Sequence, residues 1–312
     1  MTRYFLLFAL WTGLNALARA QTAVEFDGQV NLGVVKESGQ GAAVGRGYNN
    51  WLRLIEHEQL GDDFSTLVTL EMRFKPDAGT TETAALFQGE STVGVGHPRF
   101  GTLRLGRGMS PLWQQKWRFE PWFDSEFMGS LGSYQSGSYR SDPTAASGYA
   151  NWARVPGALF YDSVDREGFS IHLAAGLNRP AGAKGTTHGG SLNYAGQAQL
   201  GMLAFEENNR GDQIWFAAGS WAFPAITLMG SASHVRLATA TDVERSYVLA
   251  ARCALGAGAI HFGLGSTPVV AHKQSAGYIV AVSKRTNLYA DVYRETNQAA
   301  IHGAALGIAH RF

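Results

Sequence analysis

Nine His, one Cys, 26 Lys and Arg and 25 Asp and Glu are the groups in this 312-residue chain that could carry chemistry. They fall into no catalytic spacing. There is no His-Glu-x-x-His zinc helix, no glycine loop ending in Lys for a phosphate, and no Gly-x-Ser-x-Gly elbow for a nucleophile. The glycines of "GVGHPRFG" (94–101) sit at a hairpin rather than between a strand and a helix. Arg210-Gly211-Asp212 is a three-residue match of the kind chance supplies. His57, His172, His234, His261 and His302 show no metal-ligand spacing, and Cys253 sits on an apolar parity as a small hydrophobe. What several charged residues do share is a position in an alternating pattern. Arg53 shares a face with Asn49 and His57, opposite Leu52 and Leu54. Arg154 lies opposite Val155, Leu159 and Tyr161. Arg104 opposes Leu103 and Leu105, whereas Arg107 shares their parity beside Gly106 and Gly108, which allow a bend that re-aims it. The chemistry open to such residues is electrostatic. Charges at close quarters around an aqueous gap select ions by sign, and the gap selects by size. An Arg facing lipid at the bilayer midplane costs about 2–4 kcal/mol, and one facing water costs little.

Strands must position these side chains. "AVEFDGQVNLGVVK" sets Val24, Phe26, Val30, Leu32 and Val34 against Glu25, Asp27, Gln29 and Asn31, a period of two. "STLVTLEMRFK" sets Val68, Leu70, Met72 and Phe74 against Thr69, Glu71, Arg73 and Lys75. The pattern recurs in 168–178, 244–255 and 275–286. Sixteen such segments can be drawn: 23–35, 48–59, 64–75, 89–97, 100–108, 151–162, 168–178, 188–195, 197–206, 213–223, 225–236, 244–255, 257–269, 275–286, 287–296 and 300–312. Seven short turns join pairs of them, among them "LGDDF", "DREGF" and "RTNLY". Longer polar connections at 36–47, 76–88, 179–190 and 237–243 join others. Tilted segments of roughly ten residues span about 25 Å, the height of a lipid band. An even number of strands closes into a barrel without a raw edge. The one long insertion, 109–150, holds Trp113, Trp117, Trp122 and Phe123 among charges. It is too apolar for a tail, and a sixteen-strand lumen is wide enough to take it.

The ends of the chain fit an exported product. "MTRYFLLFALWTGLNALARA" has a basic start, a short apolar run and a small-x-small site, so 1–20 is expected to be a signal peptide and 21–312 the mature barrel. Removing it takes Arg3 and Arg19 and no acids, so 26 basic residues fall by two against 25 acidic ones, and the formal charge becomes about −1. Such a charge excludes a global attraction to nucleic acid. One cysteine excludes an intrachain disulfide. No later stretch has eighteen apolar residues in a row, so helical spans are excluded. What remains is a secreted β protein or a transmembrane β-barrel. The last strand, "AALGIAHRF", keeps its alternation to Phe312.

Several stretches together resemble the trimeric, sixteen-stranded general porins of Gram-negative bacteria: "NWLRLIEHEQLGDDFSTLVTLEMRF", "RFGTLRLGRGMSP", "SEFMGS", "ARVPGALFYDS", "VSKRTNLYADV" and "GIAHRF". The resemblance implies an all-β fold, a closed antiparallel transmembrane barrel with the long third loop folded into the lumen. It implies an outer-membrane channel for passive diffusion of ions and small hydrophilic solutes, without a cofactor or metal. Basic wall residues Arg53, Arg107 and Arg154 would face acidic loop residues Asp124 and Glu126, with Arg73, Arg104 and Glu120 as lesser pore residues. A lysine of the family's first strand is Gln29 here, which weakens the basic cluster. The expected partners are two further copies in a homotrimer, outer-membrane lipids, and the assembly machinery that reads a terminal Phe312. Two other readings stay open: a barrel enzyme, a hydrolase, and a plugged or substrate-specific channel.

Overall fold

The computed structural model describes residues 22–47, 50–122, 128–137, 153–179, 181–238, 243–268 and 270–312. Among them run the strands β1 (Thr22–Glu37), β2 (Ala43–Arg46), β3 (Trp51–Gly61), β4 (Phe64–Lys75), β5 (Thr80–Thr81), β6 (Glu90–His97), β7 (Gly101–Met109), β8 (Arg154–Asp162) and β9 (Phe169–Gly176). There follow β10 (His188–Ala195), β11 (Gln199–Glu207), β12 (Gln213–Ala222), β13 (Ile226–Arg236), β14 (Val243–Leu255), β15 (Gly258–Thr267), β16 (Ala271–Ala281), β17 (Thr286–Thr296) and β18 (Ala300–Arg311). The short β2 and β5 extend the hairpins on their neighbours. The other sixteen are the staves of a closed antiparallel barrel. Each pairs with the next, and β1 closes the ring by pairing β3 through Thr22–Gln29 and β18 through Gln29–Glu37.

The alternation in the sequence becomes an inside-out protein. Phe26 is 62% exposed and Leu173 is 48% exposed, while Glu71, Glu206 and Glu295 are buried. A stacked pair of sheets would bury the aliphatic face, and this wall presents it outward as lipid-facing barrels require. Exposed aromatics cluster at the short-turn end, where Phe64, His97 and Phe100 touch in sequence and Phe169 lies against Tyr194. Phe205 and Trp215 pair toward the other end. These positions match the interfacial girdles of such barrels.

Seven tight turns join β3–β4, β6–β7, β8–β9, β10–β11, β12–β13, β14–β15 and β16–β17, all at one end. In the first, Asp62 (φ 50°) and Asp63 (φ 63°) are consecutive left-handed residues, the backbone of a primed hairpin turn that Asp tolerates. The opposite end is less uniform than the long connections suggested. Residues 208–212 and 297–299 are as short as the turns, and the segment expected as a loop at 36–47 contains β2. The second stave accordingly begins as β2, which ends at Arg46, and resumes as β3 from Trp51 with a two-residue change of register against β1. Asn50 helps hold the break: its Oδ1 accepts from Asn31 N–H at 2.6 Å and its Nδ2 donates to Gly47 O at 2.6 Å.

Candidate functional site

The segment after β7 turns into the barrel. Ser110 caps α1 (Pro111–Lys116) by accepting from Trp113 N–H at 3.2 Å, and Pro111 starts the helix where no N–H is needed. The helix N-terminus is fastened to the wall by Glu206, whose Oε1 accepts from Leu112 N–H at 2.7 Å. A single 3-10 turn, Trp117–Phe119, follows. Leu112 and Phe119 then pack on Met202, Ile214, Phe216 and Val235, all on the inner face of β11–β13. This was a residue set that parity reasoning missed. The signal was present in "QIWFAAGSWAF": β12 is apolar on both faces, which an open aqueous lumen does not call for and an inserted loop does.

Further fastenings follow. Trp122 is enclosed against Leu131, Tyr134 and Val248, and its Nε1 donates to Asp291 at 3.0 Å. Tyr134 donates to Glu295 at 3.1 Å. Lys273 donates to the carbonyls of Met128 and Ser130 at 2.6 and 2.8 Å. Within the loop, Glu120 accepts from Ser130 Oγ, Leu131 N–H and Trp122 N–H at 3.1–3.4 Å. It is 4% exposed, so its carboxylate binds the two limbs of the loop together and does not meet the water of the lumen. Burial pushes its carboxyl up to about 7 against those hydrogen bonds.

The opposite wall, β3 to β9, carries the charge. Arg53 makes a two-pronged pair with Asp27, Nε–Oδ1 3.1 Å and Nη2–Oδ2 2.7 Å, and its guanidinium lies 4.6 Å from the Trp51 ring centre. Arg73 and Arg154 share Glu71, at 3.3 and 3.7 Å. Arg104 is inward, as alternation has it, and is held by Glu90 and, at 2.8 Å, by Asp162. Arg107 is re-aimed by the bend: the register slips between Gly106 and Gly108, Gly106 takes φ +136°, and a Cβ there would meet Ser91 O at 2.1 Å. Arg107 Nε donates to Gln88 O at 2.8 Å, and the side chain lies close enough to Arg154 to repel it. Among the described residues it has no carboxylate partner. Gln29, where the family lysine is missing, is buried and accepts from Arg311 Nε at 2.8 Å, so β18 supplies a positive charge beside it.

Arg154 also reaches inward, with Nε donating to Gly89 O. The parity argument for it needs a correction. Val155 does not face lipid; it is buried with Ala158, Phe160 and Ala174, because Gly157 (φ +57°) inserts a kink that reverses the alternation. Asp124 and Glu126, the expected acidic partners, lie outside the described residues, as does the leader 1–20.

A closed barrel with a lipid-facing apolar wall, a charged lumen and an inserted loop is a membrane channel of the outer-membrane class. Comparison with known proteins agrees. A family model, Gram-negative porin, matches residues 7–300. The chain belongs to the Gram-negative porins, and it forms an outer-membrane channel for small solutes. Among solved structures, the anion-selective porin from Comamonas acidovorans superposes with a TM-score of 0.76 at 20% identity, covering 94% of this chain and 100% of that one. Salmonella typhi OmpF, in complex with daunomycin, gives 0.67 at 15%, covering 93% and 97%. A mutant of the Rh. blastica porin gives 0.66 at 13%, covering 93% and 100%. No curated protein matches the sequence.

Proposed function

We propose that permeation is passive and that solutes cross between the charged wall and the inserted loop, with Arg53, Arg107 and Arg154 on one side and Asp124 and Glu126 on the other. Arg73 adds to the wall, Arg104 is held in place by its two carboxylates, and Glu120 fastens the loop. The observation that carries this reading is the pair Arg107 and Arg154. Their Nε groups are held by the carbonyls of Gln88 and Gly89, and one carboxylate, Glu71, serves both Arg73 and Arg154. Positive charge is therefore in excess on that wall, and anions are favoured along it. The anion selectivity named for the Comamonas porin is consistent with this assignment. Two charges 4 Å apart in water interact by about 1 kcal/mol, roughly a fivefold change in local ion ratio. Arg107→Gln with Arg154→Gln should shift the reversal potential in a salt gradient toward cations by an effect of about that size. An unchanged potential would take both residues out of the constriction.

The assembly proposed is a homotrimer in outer-membrane lipid, for which chemical cross-linking should give a ladder ending at three copies; monomer alone would contradict it. A hydrolase reading has one observation in its favour. His172 stands between Asp162 (2.7 Å) and Ser170 (3.5 Å), in the atom order of a catalytic triad. Against it, Asp162 is also bound by Arg104 and Gln114, the Ser–His distance is long, and the nearby Ile171 N–H donates to Ser163 Oγ instead of an oxyanion. Ester hydrolysis that disappears in Ser170→Ala would overturn the channel-only reading.

A further inference from the structure

Two of the loop's tryptophans do not fasten it. Along α1 and the 3-10 turn after it, Leu112, Lys116 and Phe119 are buried, while Trp113, Gln114, Trp117 and Arg118 are half-buried. Residues three and four apart share a helix face, so Gln114, Trp117 and Arg118 stand together with Trp113 beside them. The buried side packs on the wall at β11–β13, and the half-buried side is therefore turned to the lumen. The indoles are held in place. Trp117 Nε1 donates to Gln114 O at 2.8 Å, and Lys116 Nζ lies 3.7 Å from the centre of the Trp113 ring while it donates to Gly132 O and Ser136 Oγ. Gln114 Nε2 donates across to Asp162 Oδ1 at 3.3 Å, which ties this side of the helix to β8. Arg118 donates to Gln115 Oε1 at 3.3 Å and, among the described residues, is in no ion pair. Arg53, Arg73, Arg104 and Arg154 differ, since each has a carboxylate partner.

A gap that sorts solutes only by size and charge has no use for a pair of indoles at its edge. Apolar surface left in water contributes nothing to holding the loop, which Leu112, Phe119 and Trp122 do. Indole faces gain by stacking on flat rings, and a guanidinium next to them matches a carboxylate with its fork of donors. The positive wall opposite draws anions into the same space. Sugars also stack on indole, but a cation beside the rings favours an acid over a neutral solute. Granted passage between wall and loop as proposed above, we infer that Trp113, Trp117 and Arg118 form a binding step for aromatic carboxylates, the rings lying along the indoles and the carboxylate at Arg118.

The test uses the full chain in planar bilayers carrying chloride current, with benzoate, cyclohexanecarboxylate, acetate and glucose added in turn. Benzoate should reduce the current saturably. Cyclohexanecarboxylate, of like size and charge but without a π face, should act roughly threefold to tenfold more weakly, the range expected of a stacked ring pair. W113L/W117L should abolish that difference, and R118Q should weaken both cyclic acids while keeping it. Equal effects of the two cyclic acids, an unaltered preference in W113L/W117L, or a glucose effect as large as that of benzoate would each overturn the inference. If the double variant does not fold, the two acids compared on the unaltered protein decide the matter. Saturation-transfer NMR of the same acids with detergent-solubilised protein reads binding without current, so a missing chloride current would count against the diffusion channel and a missing ring preference against this site.

Discussion

Glu120 shows how one buried carboxyl ties permeation to pH. Its value in the folded chain, about 7, lies above the ordinary 4.5, so the folded state prefers the neutral form. The stability it lends the loop is fully present below the ordinary value and is lost as pH rises through about 7. Single-channel noise should therefore rise between pH 5 and pH 8, and Glu120→Gln, which keeps an accepting oxygen, should flatten the profile. An identical pH profile in the two proteins would place the titration elsewhere. The sequence showed that Glu120 was an acid in a long insertion. It could not show that Ser130 and Leu131 fold back onto it, because those contacts join residues ten or eleven apart in a segment without periodicity. Arg53 and Arg104 were legible, since alternation alone sets their direction. Arg107 was legible through Gly106 and Gly108, which mark where the strand can bend, whereas Val155 was not, because Gly157, two residues on, reverses the alternation.

At the scale of elements, the third loop is held to β11–β17 by side chains that a strand pattern marks only as inward. Trp122 is the largest of them. Replacing it with Ala removes an enclosed indole, about 3–5 kcal/mol for such a truncation, and leaves Asp291 without that donor. The loss falls on the loop and not on the ladder of strands. Trp122→Ala should thus raise conductance and channel noise while the barrel still shifts on heating in gel electrophoresis. Wild-type conductance in that variant would show that the loop is held by other contacts. The sixteen staves were readable from local patterning, with boundaries displaced where β2 and β3 break around Asn50. The loop's destination was only implied by its tryptophans and by the doubly apolar β12.

The whole molecule depends on one seam. Phe312 and Gly28 exchange backbone hydrogen bonds, 3.1 Å in each direction, and the Phe312 ring lies where a Gly28 Cβ would fall, 2.6 Å from it. An aromatic covering a glycine across a strand pair is a recognised way to secure a sheet. Deleting Phe312 should lower the amount of folded, heat-modifiable protein in membranes, both by opening the seam and by removing the proposed assembly signal. Normal levels would contradict both roles. A Phe312→Trp chain separates them, since an aromatic of either kind can cover Gly28.

The amino-acid order alone determined that this chain is a series of alternating strands with one apolar and one polar face, because side-chain direction in a strand depends only on parity between neighbours. It also determined the short hairpins, whose turn residues act within a few positions. The tertiary structure alone decided that the apolar face points outward, where the count slips at Gly157, which carboxylates grip the inserted loop, and which arginines keep unshared charge. Those outcomes depend on groups brought together from distant strands, as Trp122 and Asp291 are, and no local period records them.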